Sequence, residues 1–260
     1  MKIVVLDLDE TLGYFVEYGI FWDLLQKKYK LTQNNFNEIL DLYPEFLRPN
    51  IINILNYLKQ KKECGSCDKL MMYTNNQRSE KWAYQIINYF ETKINYKLFD
   101  QIISAFKING KKIELCRTTN YKCHSDLINC TKIPLNTEIC FLDDSYHPQM
   151  MHKNIYYIKV KPYLHNLNFE DMILRFINSE IGKQLVNEKE KNNFNHLLTN
   201  DFKKYNFKYN NKNKDDYEID IILSKQILLH LQDFFNNTKK TKDKSKKNKI
   251  KSNKTKKKYY

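Results

Sequence analysis

Near its start the chain reads KIVVLDLDETL at residues 2–12, an apolar, β-branched run that stops abruptly at Asp7, Asp9 and Glu10. A run so short, with apolar side chains on both alternating faces, fits a strand covered on each side and not an amphipathic helix. The acids therefore stand at the carboxyl end of a central strand. Further short apolar runs follow: KLMMYT at 69–74, FDQIISAF at 99–106, TEICFL at 137–142 and IYYIKV at 155–160. Between them Ile51, Ile52, Ile54, Leu55 and Leu58 keep helical spacing after Arg48-Pro49, and 79–89 reads as a second helix.

Strands alternating with helices predict an α/β domain: three layers, a Rossmann-like and mostly parallel sheet, and right-handed crossovers. Such sheets bind ligands beyond the carboxyl ends of their strands. Asp7 and Asp9, Thr74, and the pair Asp143-Asp144 all fall at predicted strand ends. Three motifs thus converge on one sheet edge.

The predicted organisation is an α/β domain over 1–180, a helical extension over 181–237 packing on the core, and a disordered lysine-rich tail over 238–260. In the extension, 217–235 reads as an amphipathic helix through Ile219, Ile222, Leu223, Ile227, Leu228 and Leu231. The net charge is +14, but the tail holds twelve lysines against the single acid Asp243. The basic balance describes a tail and not a basic fold. Such a tail attaches to nucleic acid or acidic partners by counterion release; with no aromatics before Tyr259 and Tyr260, it offers no base stacking. No apolar run approaches the roughly 18 residues of a membrane span, and Met1 leads straight into the strand with no leader layout. The expectation is a soluble, intracellular protein without membrane contact, cytoplasmic or nuclear being left open. Six cysteines are too few for a disulfide scaffold, so reduced thiols are expected.

A carboxylate can attack phosphorus and form an aspartyl-phosphate, which splits one hard displacement into two easier ones. A second acid two residues on can protonate the leaving oxygen and later activate water. Gathered acids need a cation, and Mg²⁺ prefers oxygen ligands with several waters retained. Asp143, arriving from another strand, is the natural third oxygen donor.

DLDETL, the threonine in MMYTNN and the acidic pair in FLDDS together resemble the haloacid dehalogenase (HAD) superfamily of phosphatases, over roughly residues 1–165. More narrowly, DLDETL followed by Arg48-Pro49 and an apolar helix is similar to the branch of RNA polymerase II carboxy-terminal-domain phosphatases and NLI-interacting-factor-like proteins. The resemblance implies the HAD fold with Asp7 as nucleophile, Asp9 as general acid/base, and Asp7, Asp9 (through its carbonyl) and Asp143 as Mg²⁺ ligands. It implies phosphate contacts from Thr74 and Asn75, with Thr11 supporting the nucleophile loop or meeting phosphate. It also implies an active-site lysine, for which Lys122 is chosen over Lys107 and Arg117.

The insertions at 13–47 and 75–121 leave room for a small flap and no large cap. An open site suits phosphate carried on a macromolecule, phosphoserine or phosphothreonine in proteins first and nucleic-acid ends as the alternative; a non-catalytic interaction module is a further one. Tyr14, Phe15, Tyr18, Phe21 and Trp22 either wall the substrate or fold the flap onto the core. Cys64 and Cys67 form half of a structural Zn²⁺ site whose other half would come from Cys116, Cys123, His124 or Cys130. His147 and His152 follow the acidic pair and read as substrate contacts or solvated loop histidines.

Overall fold

A computed structural model describes the backbone of residues 1–187, 189, 191–205 and 212–254; the side chains of 80, 192 and 237–254 are outside the described set. The strands are β1 (Lys2–Leu6), β2 (Lys69–Tyr73), β3 (Gln101–Ile103), β4 (Lys107–Ile108), β5 (Lys111–Lys112), β6 (Glu138–Asp143) and β7 (Ile155–Lys159). The helices are α1 (Val16–Gln26), α2 (Gln33–Leu40), α3 (Ile51–Glu63), α4 (Glu80–Ile94), α5 (His124–Thr131), α6 (Phe169–Asn178), α7 (Glu180–Leu185), α8 (Lys191–Lys203) and α9 (Lys214–Lys254).

Five strands form one sheet in the order β3-β2-β1-β6-β7, and each neighbouring pair is parallel. The chain builds outward from β1 through β2 to β3, then returns to the other side of β1 for β6 and β7. The direction of winding reverses between β1 and β6, which opens a crevice at their carboxyl ends. Register brings Leu6 opposite Leu142, and the Asp7 amide donates to the Leu142 carbonyl at 2.9 Å. Asp7 and Asp143 are therefore neighbours by sheet geometry alone.

Alternation along the strands divides the core in two. Val4, Leu6, Leu70, Met72, Cys140 and Leu142 face a large apolar cluster with α1–α4, α6, α8 and α9. Ile3, Val5, Met71, Tyr73, Ile139 and Phe141 face a smaller one, closed by Leu127 of α5 together with Ile133 and Met150. This is a Rossmann-like layering with one thick face and one thin one. The aromatic segment settles on the thick face: Phe15, Tyr18, Phe21 and Trp22 are buried, so they fold 13–47 onto the core and leave only Tyr14 half-buried for a wall.

The helix read at 217–235 lies within α9, which packs on α3 and β7. Its inward stripe is Asp220, Ser224, Ile227, Leu231, Phe234 and Phe235, while Ile219 and Ile222 are exposed. Lys2 fastens the stripe's end, donating from Nζ to the carbonyls of Phe234 and Phe235 at 2.8 and 3.2 Å. The backbone of α9 is helical to Lys254; the side chains of the tail expected to be disordered fall outside the described residues. Among the described residues no helix is long and apolar enough to cross a membrane.

The expectation of reduced thiols is corrected for one pair. Cys116 and Cys130 are joined by a disulfide, while Cys64, Cys67, Cys123 and Cys140 are free. The end of α5 returns beside the loop that precedes it and sets the two Cα atoms 4.9 Å apart, within bridging range. This removes two of the four residues considered as partners for zinc at Cys64 and Cys67. Cys67 is buried with Sγ turned to the Lys69 carbonyl at 3.3 Å, and burial pushes its thiol up to about 12, opposing the thiolate that zinc requires.

Candidate active site

The loop after β1 is built to hold its acids still. Glu10 adopts a left-handed backbone (φ 57°), an unfavourable conformation for a residue with a Cβ, so its surroundings must enforce it. Arg48 does so from beneath: fully buried, it donates from Nε to the Thr11 carbonyl at 2.6 Å and from Nη2 to the carbonyls of Glu10 and Lys161 at 2.6 and 2.8 Å. The Tyr163 amide also donates to the Glu10 carbonyl at 2.8 Å. Gly13 closes the loop, because a Cβ there would lie 2.5 Å from the Phe46 carbonyl oxygen. The Arg48-Pro49 signal thus marks a buttress of the acidic loop as well as a helix start.

At the crevice Lys122 is buried and donates from Nζ to Asp7 Oδ1 and, at 2.7 Å, to Asp143 Oδ2. Asp143 also meets His147, whose Nε2 is 3.3 Å from Oδ1, and accepts from the Ser145 amide at 2.8 Å. Thr11 is wholly buried behind the acids. Its Oγ1 lies 3.2 Å from both Asp7 Oδ2 and Asp144 Oδ1 and accepts from the Asp144 amide at 3.1 Å. Thr11 therefore orients carboxylates. Asp9 accepts from Asn76 Nδ2 at 2.7 Å, and the Asn76 amide donates to Thr74 Oγ1 at 3.0 Å. Asn76 links the second acid to the end of β2; Asn75, the expected phosphate contact, shows only a carbonyl bonded to Gln77 at 3.0 Å.

Of the candidate cations, the fold brings Lys122 to the acids. Lys107 is exposed on β4. Arg117 is fully buried but donates to the carbonyls of Thr74, Ser104, Asn120 and Tyr121 at 2.8–3.3 Å and lies over the Tyr73 ring. It secures the end of β2 to the loop that delivers Lys122. His152 stacks on His124 at 4.1 Å between ring centres.

The electrostatics are those of acids crowded out of water. Burial, with Asp143 and Asp9 adding, pushes the Asp7 carboxyl up to about 8 against the pull of Lys122. Burial also raises Asp9, partly offset by the Asn76 hydrogen bond. For Asp143 burial is outweighed by hydrogen bonds and charge from His147 and Lys122, and its pKa falls. Burial would lower the Lys122 ammonium, but Asp7 and Asp143 prevail and raise it.

Carboxylate oxygens of Asp7, Asp143 and Asp144 lie within 4.8 Å of one another. An all-oxygen, surplus-negative donor set of this size fits a hard divalent cation such as Mg²⁺. Asp144 adds its side chain to this cluster, and its place next to Asp143 was the signal for it. No protein-family model, curated protein or solved structure matches the chain.

Proposed function

We propose that the chain is a HAD-type phosphomonoester hydrolase that works through an aspartyl-phosphate on Asp7, requires Mg²⁺, and acts on phosphoserine or phosphothreonine in proteins. The observation that carries this reading is that Asp7 and Asp143, from adjacent strands, share the one buried ammonium of Lys122 while two more acids stand beside them. The acids gathered there carry more negative charge than Lys122 alone can neutralise. That surplus is what a site needs if it must hold a cation together with a phosphoryl group.

Asp7, Asp143 and Asp144 would hold the ion, which when bound offsets charge on the phosphoryl oxygens and favours the ionised form of Asp7. The Asp7 carboxylate attacks phosphorus, oriented by Thr11 and Lys122, and the ester oxygen leaves as an alcohol with a proton from Asp9. Burial keeps that proton on Asp9 at higher pH than usual, as a general acid requires. Asp9, now ionised, takes a proton from the water that hydrolyses the aspartyl-phosphate, and inorganic phosphate departs. Lys122 balances charge on Asp7 throughout.

Hydrolysis of an aryl phosphate by the full chain with Mg²⁺, compared with Asp7→Asn, tests the reaction. Turnover is expected to fall by roughly a thousandfold or more on losing the nucleophile; equal rates in the two proteins would end the enzyme reading. Phosphopeptide and phospho-oligonucleotide panels then test the substrate class.

A further inference from the structure

The sequence interval between Cys116 and Cys130 contains both Arg117 and Lys122, so the disulfide closes a loop around two buried cations, one that secures the end of β2 and one that meets the acids. Its Cys130 end is fixed to β3, and its Cys116 end to the neighbouring turn of α5. Gln101 Nε2, on β3, donates to the Cys130 carbonyl at 3.0 Å, and Asn129 Nδ2 donates to the Cys116 carbonyl. The bridge therefore links the start of the Lys122 loop to the far end of α5, the helix that Lys122 precedes. Both cysteines are half-buried, within reach of a small thiol, and the Glu114 carboxylate lies 3.0 Å from Cys116 Sγ, placed to accept a hydrogen bond from that thiol once reduction has formed it. The other four cysteines are unpaired with one another.

We infer that Cys116–Cys130 is a reversible thiol–disulfide modification site that clamps the Lys122 loop and so sets the activity of the phosphatase; the effect on activity rests on the function proposed above, the clamp itself does not. A dithiol reductant supplies the chemistry. Its thiolate attacks one protein sulfur, the S–S bond breaks, and the other sulfur leaves as thiolate and takes a proton. The reductant's second thiolate then displaces the mixed disulfide. Two electrons and two protons pass to the protein, which holds two thiols, and the reductant becomes a cyclic disulfide. A disulfide oxidant reverses every step. With the bridge open, the segment keeps toward α5 the Asn129 bond to the Cys116 carbonyl and the two bonds of Thr118 to Asp126, but loses its covalent tie, and the adjacent Arg117 loses a fixed neighbour. Lys122 is then held less firmly against Asp7, and small misplacements of such groups carry large rate penalties.

The test uses the full chain before and after treatment with a dithiol. Denatured without reductant, the protein should show four titratable thiols, rising to six after reduction. Amide exchange over 116–123 should quicken roughly tenfold on reduction while the central strands stay protected. Turnover of an aryl phosphate should fall by roughly tenfold and recover on reoxidation. Cys116→Ser and Cys130→Ser should behave as the reduced protein in either condition, and Cys64→Ser should remain redox-sensitive. Six thiols at the outset, unchanged exchange on reduction, or exchange that quickens equally across the whole sheet would each overturn the clamp. If exchange responds as expected but neither redox state turns over any phosphoester, the clamp stands and the phosphatase reading is what has failed.

Discussion

Two buried ion-pair sites in this molecule are built from the same materials and balanced differently. Beneath the C-terminal helices Lys212 pairs with the buried Asp220 of α9, beside a cavity of about 190 Å³ lined also by Lys161 and Asn166. One acid meets one ammonium, and Lys212 lies 4.2 Å over the Tyr163 ring. At the sheet edge, one ammonium meets the two carboxylates of Asp7 and Asp143, with Asp9 and Asp144 close by. A balanced buried pair is complete and explains itself as architecture. An acid-rich one is costly until a further cation arrives, and the energy it forgoes in stability is the binding energy it offers a ligand.

The comparison breaks most visibly at the two lysines. Lys122→Met should lower kcat by roughly a hundredfold or more and cost about 3–5 kcal/mol of metal-free stability, because the buried Asp143 carboxylate is left without its ammonium. Mg²⁺ should recover much of that loss, since binding to the native state alone stabilises it. Lys212→Met also strands an acid, yet urea unfolding should show no Mg²⁺ rescue and kcat should hardly move. Equal rescue of both variants would erase the distinction between the sites.

A second test is the pH dependence of the metal-free protein. Asp7 carries a pKa of about 8 when folded against 3.8 when free, so between those values the native state binds the extra proton. Stability must then fall as pH rises from about 4 toward 8, the reverse of an ordinary ion-paired carboxylate. Thermal melts should drop by several degrees from pH 5 to pH 8, and millimolar Mg²⁺ should flatten the slope. A melting temperature that climbs over this range without metal would contradict the crowded-acid account.

The smallest effect is expected at Asp144. Asp144→Asn keeps the shape and the Thr11 contact but removes one charge, so Mg²⁺ affinity should weaken about tenfold with kcat at saturating Mg²⁺ nearly kept. An unaltered Mg²⁺ dependence would remove Asp144 from the ligand set.

Much of this arrangement is legible in the chain. Each of the five apolar runs contains a sheet strand, because a short buried run leaves few other choices, and the acids sit at strand ends as read. The hairpin β4–β5 has its turn signal in Asn109-Gly110, both at positive φ, but its strands are too short to show alternation in the sequence. In α9 the apolar spacing placed Ile219 and Ile222 inward, whereas the buried stripe runs through Asp220 and Ser224, since Lys212 offers Asp220 a partner that hydropathy does not register.

The strand series and the sheet edge to which the acids belong are written locally in the chain, because burial on two faces leaves a periodic imprint on neighbouring residues. That Lys122 and not Arg117 meets Asp7, that Thr11 braces the acids from behind, that Asp144 turns toward Asp143's cluster, and that Cys116 finds Cys130 all follow from long-range packing. Those outcomes depend on where crossovers of dozens of residues bring distant side chains to rest, and local periodicity holds no record of that path.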